Sequence, residues 1–434
     1  MLILKKDNMK NANFEERYIE RNIDANFEER YIERNIEKQL ISWLDAREIL
    51  LIRGPRQSGK TTILNRLIEI LKNRKVEEGK IHLINFEDSM LRIEFEKDPK
   101  EFIESYLEGG KNYFLMDEVQ YIQDVGKKLK LIFDSFNNVK MIITGSSSFD
   151  MTNLGKYLVG RVIFFELYPF SFSEFLRAKN ERLEKIHEQI KIDINKKTVI
   201  KKSIFIERLN ALLHEYLTFG SYPRVVLEND KNKKKELLKN LFLNYIEKDV
   251  VSLYGNKYRD KTVKLLKVLA SCKSIIKYET LTVNSNLKYK DVTELLPLLQ
   301  DSFVISILSP FYKNLLNELR KNPKIYFVDY GVRNYLLGNF ENIDFDFLYE
   351  NFIHNELKRE HKINFWRTTA KTEVDFIINE KIPIEVKIKP KITRSLRSFI
   401  HKYKIKKAFI ANLKTIDKKK INNSEIYFCP FVYF

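Results

Sequence analysis

The residues Gly54-Pro55-Arg56-Gln57-Ser58-Gly59-Lys60-Thr61 satisfy the pattern G-x-x-x-x-G-K-[ST] without a mismatch, and Thr62 follows them. Glycines at these positions let the backbone wrap around phosphate oxygens with several N–H groups pointing inward. The start of the following helix adds the positive end of its dipole. Lys60 supplies a point charge for β- and γ-phosphates, and Thr61 offers a hydroxyl to Mg²⁺. An apolar run precedes the loop and an amphipathic stretch follows it, which is the context the motif requires. The chemistry implied is capture of a nucleoside triphosphate with Mg²⁺.

A second element fits the first. The apolar run Tyr113-Phe114-Leu115-Met116 ends in Asp117-Glu118. A carboxylate at the C-terminal end of a buried strand beside the loop can hold Mg²⁺, which assigns Asp117 to the metal. Glu118 is then placed to orient the attacking water or accept its proton. The next strand ends in Thr144-Gly145-Ser146-Ser147-Ser148. Thr144 suits contact with the γ-phosphate or the water, or a plain polar transition from strand to loop. Arg161 fits two roles equally: an arginine finger, in its own chain or toward a neighbour, and a surface ion pair.

Near the C-terminus, Asp375, Glu385 and Lys387 form D-x9-E-x-K. Glu385 and Lys387 are two apart on one strand and share a face. Asp375 falls on the preceding strand, across the turn Asn379-Glu380-Lys381, with Val374, Phe376 and Ile378 expected inward and Asp375 toward a site. Glu356, on the helix before, is the expected fourth member. The arrangement resembles the restriction-endonuclease-like fold, whose acidic residues and lysine bind Mg²⁺ and activate water. The alternative is a surface ion pair. The basic residues beyond it, Lys389, Lys391, Arg394, Arg397, Lys402, Lys404, Lys406 and Lys407, suit either nucleic-acid phosphates or a solvated face.

These groups must be held by three kinds of segment. Apolar runs at 48–52, 81–86, 113–116, 140–144 and 162–167 alternate with amphipathic stretches, the pattern of a parallel α/β sheet. From about residue 206 the pattern is helical, and 278–308 reads helix, turn, helix, strand, a winged-helix-like order. Pro297 is expected to kink or shorten the second of those helices. From about residue 348 a helix and four strands indicate a small α/β domain. The expected division is 1–36, a duplicated segment; 37–180, the phosphate-loop domain; 181–320, helical and winged-helix-like; and 321–434, nuclease-like. The duplication is NFEERYIERNI at 13–23 and again at 26–36. It reads either as a docking helix or as a local duplication whose first copy is spare.

Composition bounds the partners. The 434 residues carry a formal charge of +18, distributed unevenly. Residues 1–150 hold 25 basic and 27 acidic side chains, whereas residues 151–434 hold 52 and 32. That asymmetry points the later part toward a polyanion, DNA first, or else toward a Lys-rich solubilising surface. No stretch approaches the ~18 apolar residues of a membrane span. The start lacks a secretory signal pattern. Cys272 and Cys429 have no metal-ligand spacing. A cytoplasmic location is expected.

The strings LLIRGPRQSGKTT, YFLMDEVQYI, IITGSSS, LVGR, LYPFSFSEF, FGSYPRVV, PKIYFVDYGVRNYL and EVDFII…IEVK resemble the AAA-type ATPases of archaea and bacteria that carry a C-terminal domain of unknown function 4143. The resemblance runs from about Tyr31 to the C-terminus. It implies an ATPase core that takes ATP and Mg²⁺, then a helical and winged-helix-like region, then a nuclease-like fold; a homo-oligomer is compatible with it. Two functions are compatible with these features. One is ATP hydrolysis coupled to DNA binding or processing. The other is a nucleotide-controlled switch whose nuclease-like domain is inactive and serves partner or DNA binding.

Overall fold

The structure is a computed structural model that describes residues 31–146, 156–196, 200–272, 275–311, 322–368 and 372–434. The first copy of the duplication, Ser147 and Ser148 lie outside the described residues. The chain forms two compact units. One comprises the residues up to Gly54 with Gly59–Leu167, and the other Pro55–Ser58 with Tyr168–Phe434.

In the first unit, strands β1 (Ile49–Gly54), β2 (Ile81–Asn85), β3 (Asn112–Asp117), β4 (Val139–Ser146) and β5 (Val162–Glu166) form one sheet in the order β2-β3-β4-β1-β5. Every neighbouring pair is parallel. Side chains alternate across a strand, and here both faces are apolar. Ile49, Leu51, Phe114, Met116, Met141 and Ile143 join one core, and Leu50, Ile52, Leu115 and Ile142 join the other. Such continuous apolar runs are what a doubly covered parallel sheet demands. Helix α1 (Glu37–Ser42) contributes Leu40 to the second core, and α2 (Lys60–Asn73) contributes Ile63, Leu64, Leu67 and Leu71. Helix α3 (Val125–Ser135) covers the first with Leu129 and Ile132.

The second unit begins helically. Helices α4 (Ile206–Phe219), α5 (Lys231–Tyr245), α6 (Arg259–Ser271), α7 (Tyr278–Ser285) and α8 (Tyr289–Asp301) precede the antiparallel pair β6 (Ile305–Leu308) and β7 (Lys324–Phe327). Leu238, Leu266, Leu281, Leu295, Leu299, Ile305 and Phe327 share one core. The expected helix-turn-helix-strand order is present. The expected shortening at Pro297 is not, because α8 runs on to Asp301 with the proline inside it. Pro297 is exposed, so water can serve the carbonyl that loses its helical N–H.

After α9 (Tyr330–Leu337) and α10 (Phe345–Lys358) comes a mixed sheet. It is built from β8 (Ile363–Arg367), β9 (Glu373–Ile378), β10 (Ile382–Val386), β11 (Lys407–Asn412), β12 (Asp417–Ile421) and β13 (Ser424–Pro430), in the order β12-β13-β11-β10-β9-β8. The β9–β10 hairpin turns through Asn379, Glu380 and Lys381; Asn379 and Glu380 have positive φ, and the Lys381 amide donates to the Ile378 carbonyl. The basic stretch after Lys387 contains α11 (Arg394–Tyr403), and β12 and β13 follow β11. Helix α11 buries Leu396, Phe399 and Ile400. The expected alternation in β9 also fails, since Val374 through Ile378 are all buried, Asp375 among them.

His354 lies on α10, stacked on Tyr326 with ring centroids 4.3 Å apart. Its Nε2 is 3.3 Å from Ser306 Oγ and its Nδ1 is 2.9 Å from Asn355 Oδ1. Burial, helped by the charge on Lys358, lowers its pKa from 6.5 to about 3. The unfolded chain therefore binds a proton between pH 6.5 and 3 that the folded chain refuses. The neutral ring's contribution is complete above pH 6.5 and is lost as pH falls toward 3. It is on the order of 5 kcal/mol at the acid end. Thermal unfolding of His354→Gln should change less between pH 7 and pH 4 than that of the native chain. Equal acid slopes would contradict this assignment.

Candidate nucleotide site

The sheet order decides what meets at the loop. Strand β1 lies next to β4, and β4 next to β3. All three run the same way, so the loop after β1, Thr144 near the end of β4 and Asp117 at the end of β3 gather at one edge. Register pairs Ile52 with Thr144 and Gly54 with Ser146. The edge at the C-terminal ends of parallel strands is where open α/β sheets present ligand sites.

The loop has the backbone its motif demands. Gly59 sits at φ +98° and Gln57 at φ +61°. A Cβ on Gly59 would stand 3.4 Å from Arg34 Nη1 and 3.9 Å from Thr62. Helix α2 starts at Lys60, whose buried Nζ donates to the Gly54 carbonyl at 3.1 Å. That bond folds the ammonium back over the loop it is expected to serve. Arg56, at the loop tip that groups with the second unit, pairs with Asp249 of that unit at 3.0 Å.

Asp117 is 2% exposed. One carboxylate oxygen accepts from Thr61 Oγ1 at 2.6 Å, and the other accepts from Thr144 Oγ1 and from the Glu118 amide at 3.1 Å. Burial raises the pKa of this carboxyl, and the two hydroxyls oppose the shift. A buried carboxylate of this kind is stabilised by a cation brought to it. The Thr61 hydroxyl and the Asp117 carboxylate converge as two hard oxygen donors, so the residues present fit Mg²⁺. Glu118 adopts a left-handed backbone at φ +56°, and its carboxylate accepts from the side chain of Gln120. Its amide also donates to Thr144 Oγ1 at 3.1 Å.

Arg161 is not brought to this edge. It precedes β5, whose Val162 pairs with Ile49 at the start of β1, whereas the loop follows Gly54. Five residues of strand put about 17 Å between the two ends. Arg161 instead pairs with Asp134 at 3.0 Å and lies over the Phe133 ring.

A cluster beside the loop was not foreseen from sequence. The second copy of the duplication supplies Tyr31 and Arg34, and Arg34 is 4% exposed. Glu37 accepts from Tyr31 Oη and from the Arg34 amide, each at 2.5 Å, and from Arg66 Nε at 3.4 Å. The signal available in sequence was YIERNIEK, where charges punctuate a short apolar pattern.

The second candidate site is partly reassembled. Asp375 and Lys387 meet at 3.1 Å, and Glu385 lies on the paired strand β10. Glu356 does not join them. It accepts from the Phe172 amide at 3.2 Å and lies 3.9 Å from Arg359 Nε. Glu350, six residues earlier on α10, takes its place: Lys324 bridges it to Asp375 at 2.9 and 3.7 Å. Six residues turn a helix by about 240°, so only one of the two glutamates can face the sheet's acidic cluster.

Three family models match the chain. One is described as an AAA domain, over residues 46–176; one as a domain of unknown function (DUF8612), over 210–342; and one as a domain of unknown function (DUF4143), over 345–432. The first matches the sheet that carries the loop, so residues 46–176 form an AAA-type P-loop domain. The chain thus carries a match to an AAA domain and, C-terminal to it, a match to DUF4143. An uncharacterized protein of Haemophilus influenzae is 26% identical over 90% of this chain and 95% of its own length. One of Methanocaldococcus jannaschii is 29% identical over 76% of this chain and 72% of its own. Among solved structures, the Aeropyrum pernix Orc1 protein in complex with DNA has 11% identity and a TM-score of 0.34, covering 73% of this chain and 95% of that one. Among the described residues, no helix is long and apolar enough to cross a membrane.

Glu37 holds one carboxylate among three buried or half-buried donors. Glu37→Ala should lower the unfolding free energy by about 3–5 kcal/mol, as loss of one partner from a buried charge cluster does. A change under about 0.5 kcal/mol in chemical denaturation would show that the cluster is not structural.

Proposed function

We propose that this protein binds and hydrolyses ATP with Mg²⁺ at the loop of residues 54–62, and that the nucleotide state governs DNA binding by the basic later part of the chain. The observation that carries the first half is the junction of Thr61, Thr144 and Asp117 at the end of the parallel sheet. The inward N–H groups of the loop and the Lys60 ammonium bind the β- and γ-phosphates. Mg²⁺, when bound, neutralises charge on the phosphate oxygens, and Thr61 and Asp117 are the residues that would hold it. Glu118, next along the chain, holds the attacking water and takes its proton. Thr144 hydrogen-bonds both Asp117 and the Glu118 amide, so it links the metal-facing and water-facing groups. A role for Arg161 at a triphosphate would require a second copy of the chain.

Charge supports the DNA half. Residues 151–434 hold 52 basic against 32 acidic side chains. Arg394, Arg397 and His401 recur at three- and four-residue spacing on the exposed side of α11, with Lys389, Lys391, Lys402, Lys404 and Lys406 exposed around it. A winged-helix-like arrangement of α7, α8 and the β6–β7 pair is a second surface of the kind that docks on duplex DNA.

The test is turnover with and without single- and double-stranded DNA. Turnover at or above about 1 s⁻¹ is the expected result. Slow hydrolysis with tightly retained nucleotide would favour the switch reading. Lys60→Ala should abolish nucleotide binding or hydrolysis; wild-type turnover in that variant would overturn the assignment.

DNA affinity of the full chain should fall steeply with salt. About four to six phosphate contacts give a log–log slope near −4 to −5. An affinity flat between low and moderate salt would reject the DNA half.

A further inference from the structure

The DUF4143 region holds a buried acidic cluster, and the cation within it comes from outside that region. Lys324 opens β7, before α9 and α10. Its side chain is 4% exposed. Its Nζ lies 2.9 Å from Glu350 Oε1, 2.6 Å from Glu373 Oε1 and 3.7 Å from Asp375 Oδ1. Burial works against this ammonium, yet Glu350, Asp375 and Glu373 together raise its pKa. It is therefore charged at neutral pH.

The remaining groups close around it. Asp375 Oδ2 accepts from Lys387 Nζ at 3.1 Å and from the Val386 amide at 2.9 Å. Glu350 Oε1 also accepts from Tyr326 Oη at 2.6 Å. Arg367 Nε is 3.8 Å from Glu373 Oε2. Glu385 is 1% exposed; one of its oxygens accepts from Thr393 at 2.5 Å and the other, also buried, has no hydrogen-bond partner among the described residues. Burial raises this carboxyl to about 7. Lys324, Lys387 and Arg367 thus face Glu350, Glu373 and Asp375, with Glu385 beside them. The charges nearly cancel with no metal counted.

A nuclease of the type that Asp375, Glu385 and Lys387 resemble needs a divalent cation on these carboxylates. The structure does not fit one: the Lys324 ammonium already stands within ion-pair distance of Glu350, Glu373 and Asp375, and Lys387 occupies the other Asp375 oxygen. We infer that Lys324 is the resident cation of the Glu350–Glu373–Asp375 cluster, and that its ammonium excludes a divalent metal from the DUF4143 region. The lysine ties β7 to α10 and β9, and it converts a metal-site architecture into a charge-balanced internal joint. Removing one buried partner leaves the others uncompensated. A divalent cation is what the uncompensated carboxylates would then accept.

The test uses Mn²⁺ alone as probe, without nucleotide, on the full chain carrying Asp117→Asn to silence the loop site. Mn²⁺ binding is read by electron paramagnetic resonance. The chain with native Lys324 should bind no saturable Mn²⁺. Adding Lys324→Gln should create one site per chain at least about tenfold tighter than any residual binding, and adding Asp375→Asn to that chain should remove it. Saturable Mn²⁺ binding with Lys324 in place would overturn the inference. So would a folded Lys324→Gln chain that gains no site. Lys324→Gln/Glu373→Gln, which removes one charge of each sign, provides the same gain-of-site test if the single variant does not fold. The measurement with Lys324 in place decides the matter even if neither variant folds. Neither outcome depends on ATP turnover.

Discussion

A carboxylate buried at the end of a parallel strand is costly unless something answers its charge. At Asp117 two threonine hydroxyls and one backbone amide answer it. The hydroxyls come from the first turn of α2 and from the end of β4, so one side chain ties together three successive elements of the sheet's rim. The strand order makes this possible, because β4 stands between the loop-bearing strand and the strand that ends in Asp117. Any slip in register would part Thr144 from Asp117 and leave both buried without their bond. The same junction is where a hard cation finds two oxygen donors. The constraint that shapes the rim and the chemistry expected of it therefore have one origin.

The chain holds a second acidic cluster that answers its charge differently. Around Asp375 the compensation is ionic and internal, with Lys324 and Lys387 as cations. Around Asp117 it is made by neutral hydroxyls. Neutral donors leave room for a cation to be added; resident ammonium groups do not. Two carboxylate sites that look alike in sequence, each an acid at or near a strand end, thus have opposite electrostatic characters.

Much of the first unit was legible in sequence. All five apolar runs became strands, because a parallel sheet covered on both faces writes itself as uninterrupted hydrophobic segments. The loop, Asp117 and Thr144 were legible because motif and strand ends fix their places. For Arg161 the ion pair was one of two readings, and the choice between them was not legible: its motif LVGR marks the beginning of β5, and only the parallel pairing with β1 reveals that this end faces away from the loop. The later part hid more. The strand Asp417–Ile421 is an exposed edge written DKKKI, with no alternation to detect and charges that deter edge pairing. In α11 the period is present at Leu396, Phe399 and Ile400, but basic residues crowd it. Asp375 could not be read as buried, since an acid in a strand normally marks the solvent face. The choice between Glu350 and Glu356 required knowing which side of α10 meets the sheet. Nothing in the local sequence around Lys324 signals that it reaches a site some fifty residues further on.

The most direct measurement on the central claim is calorimetric titration of ATP into folded chain, with and without Mg²⁺, on the native protein and on Thr61→Ala. The junction at Asp117 predicts a clear binding heat for the native chain that Mg²⁺ strengthens, and a variant in which the Mg²⁺ enhancement is lost. Absence of any heat from adenine or guanine triphosphates, in a native chain shown to be folded, would contradict it.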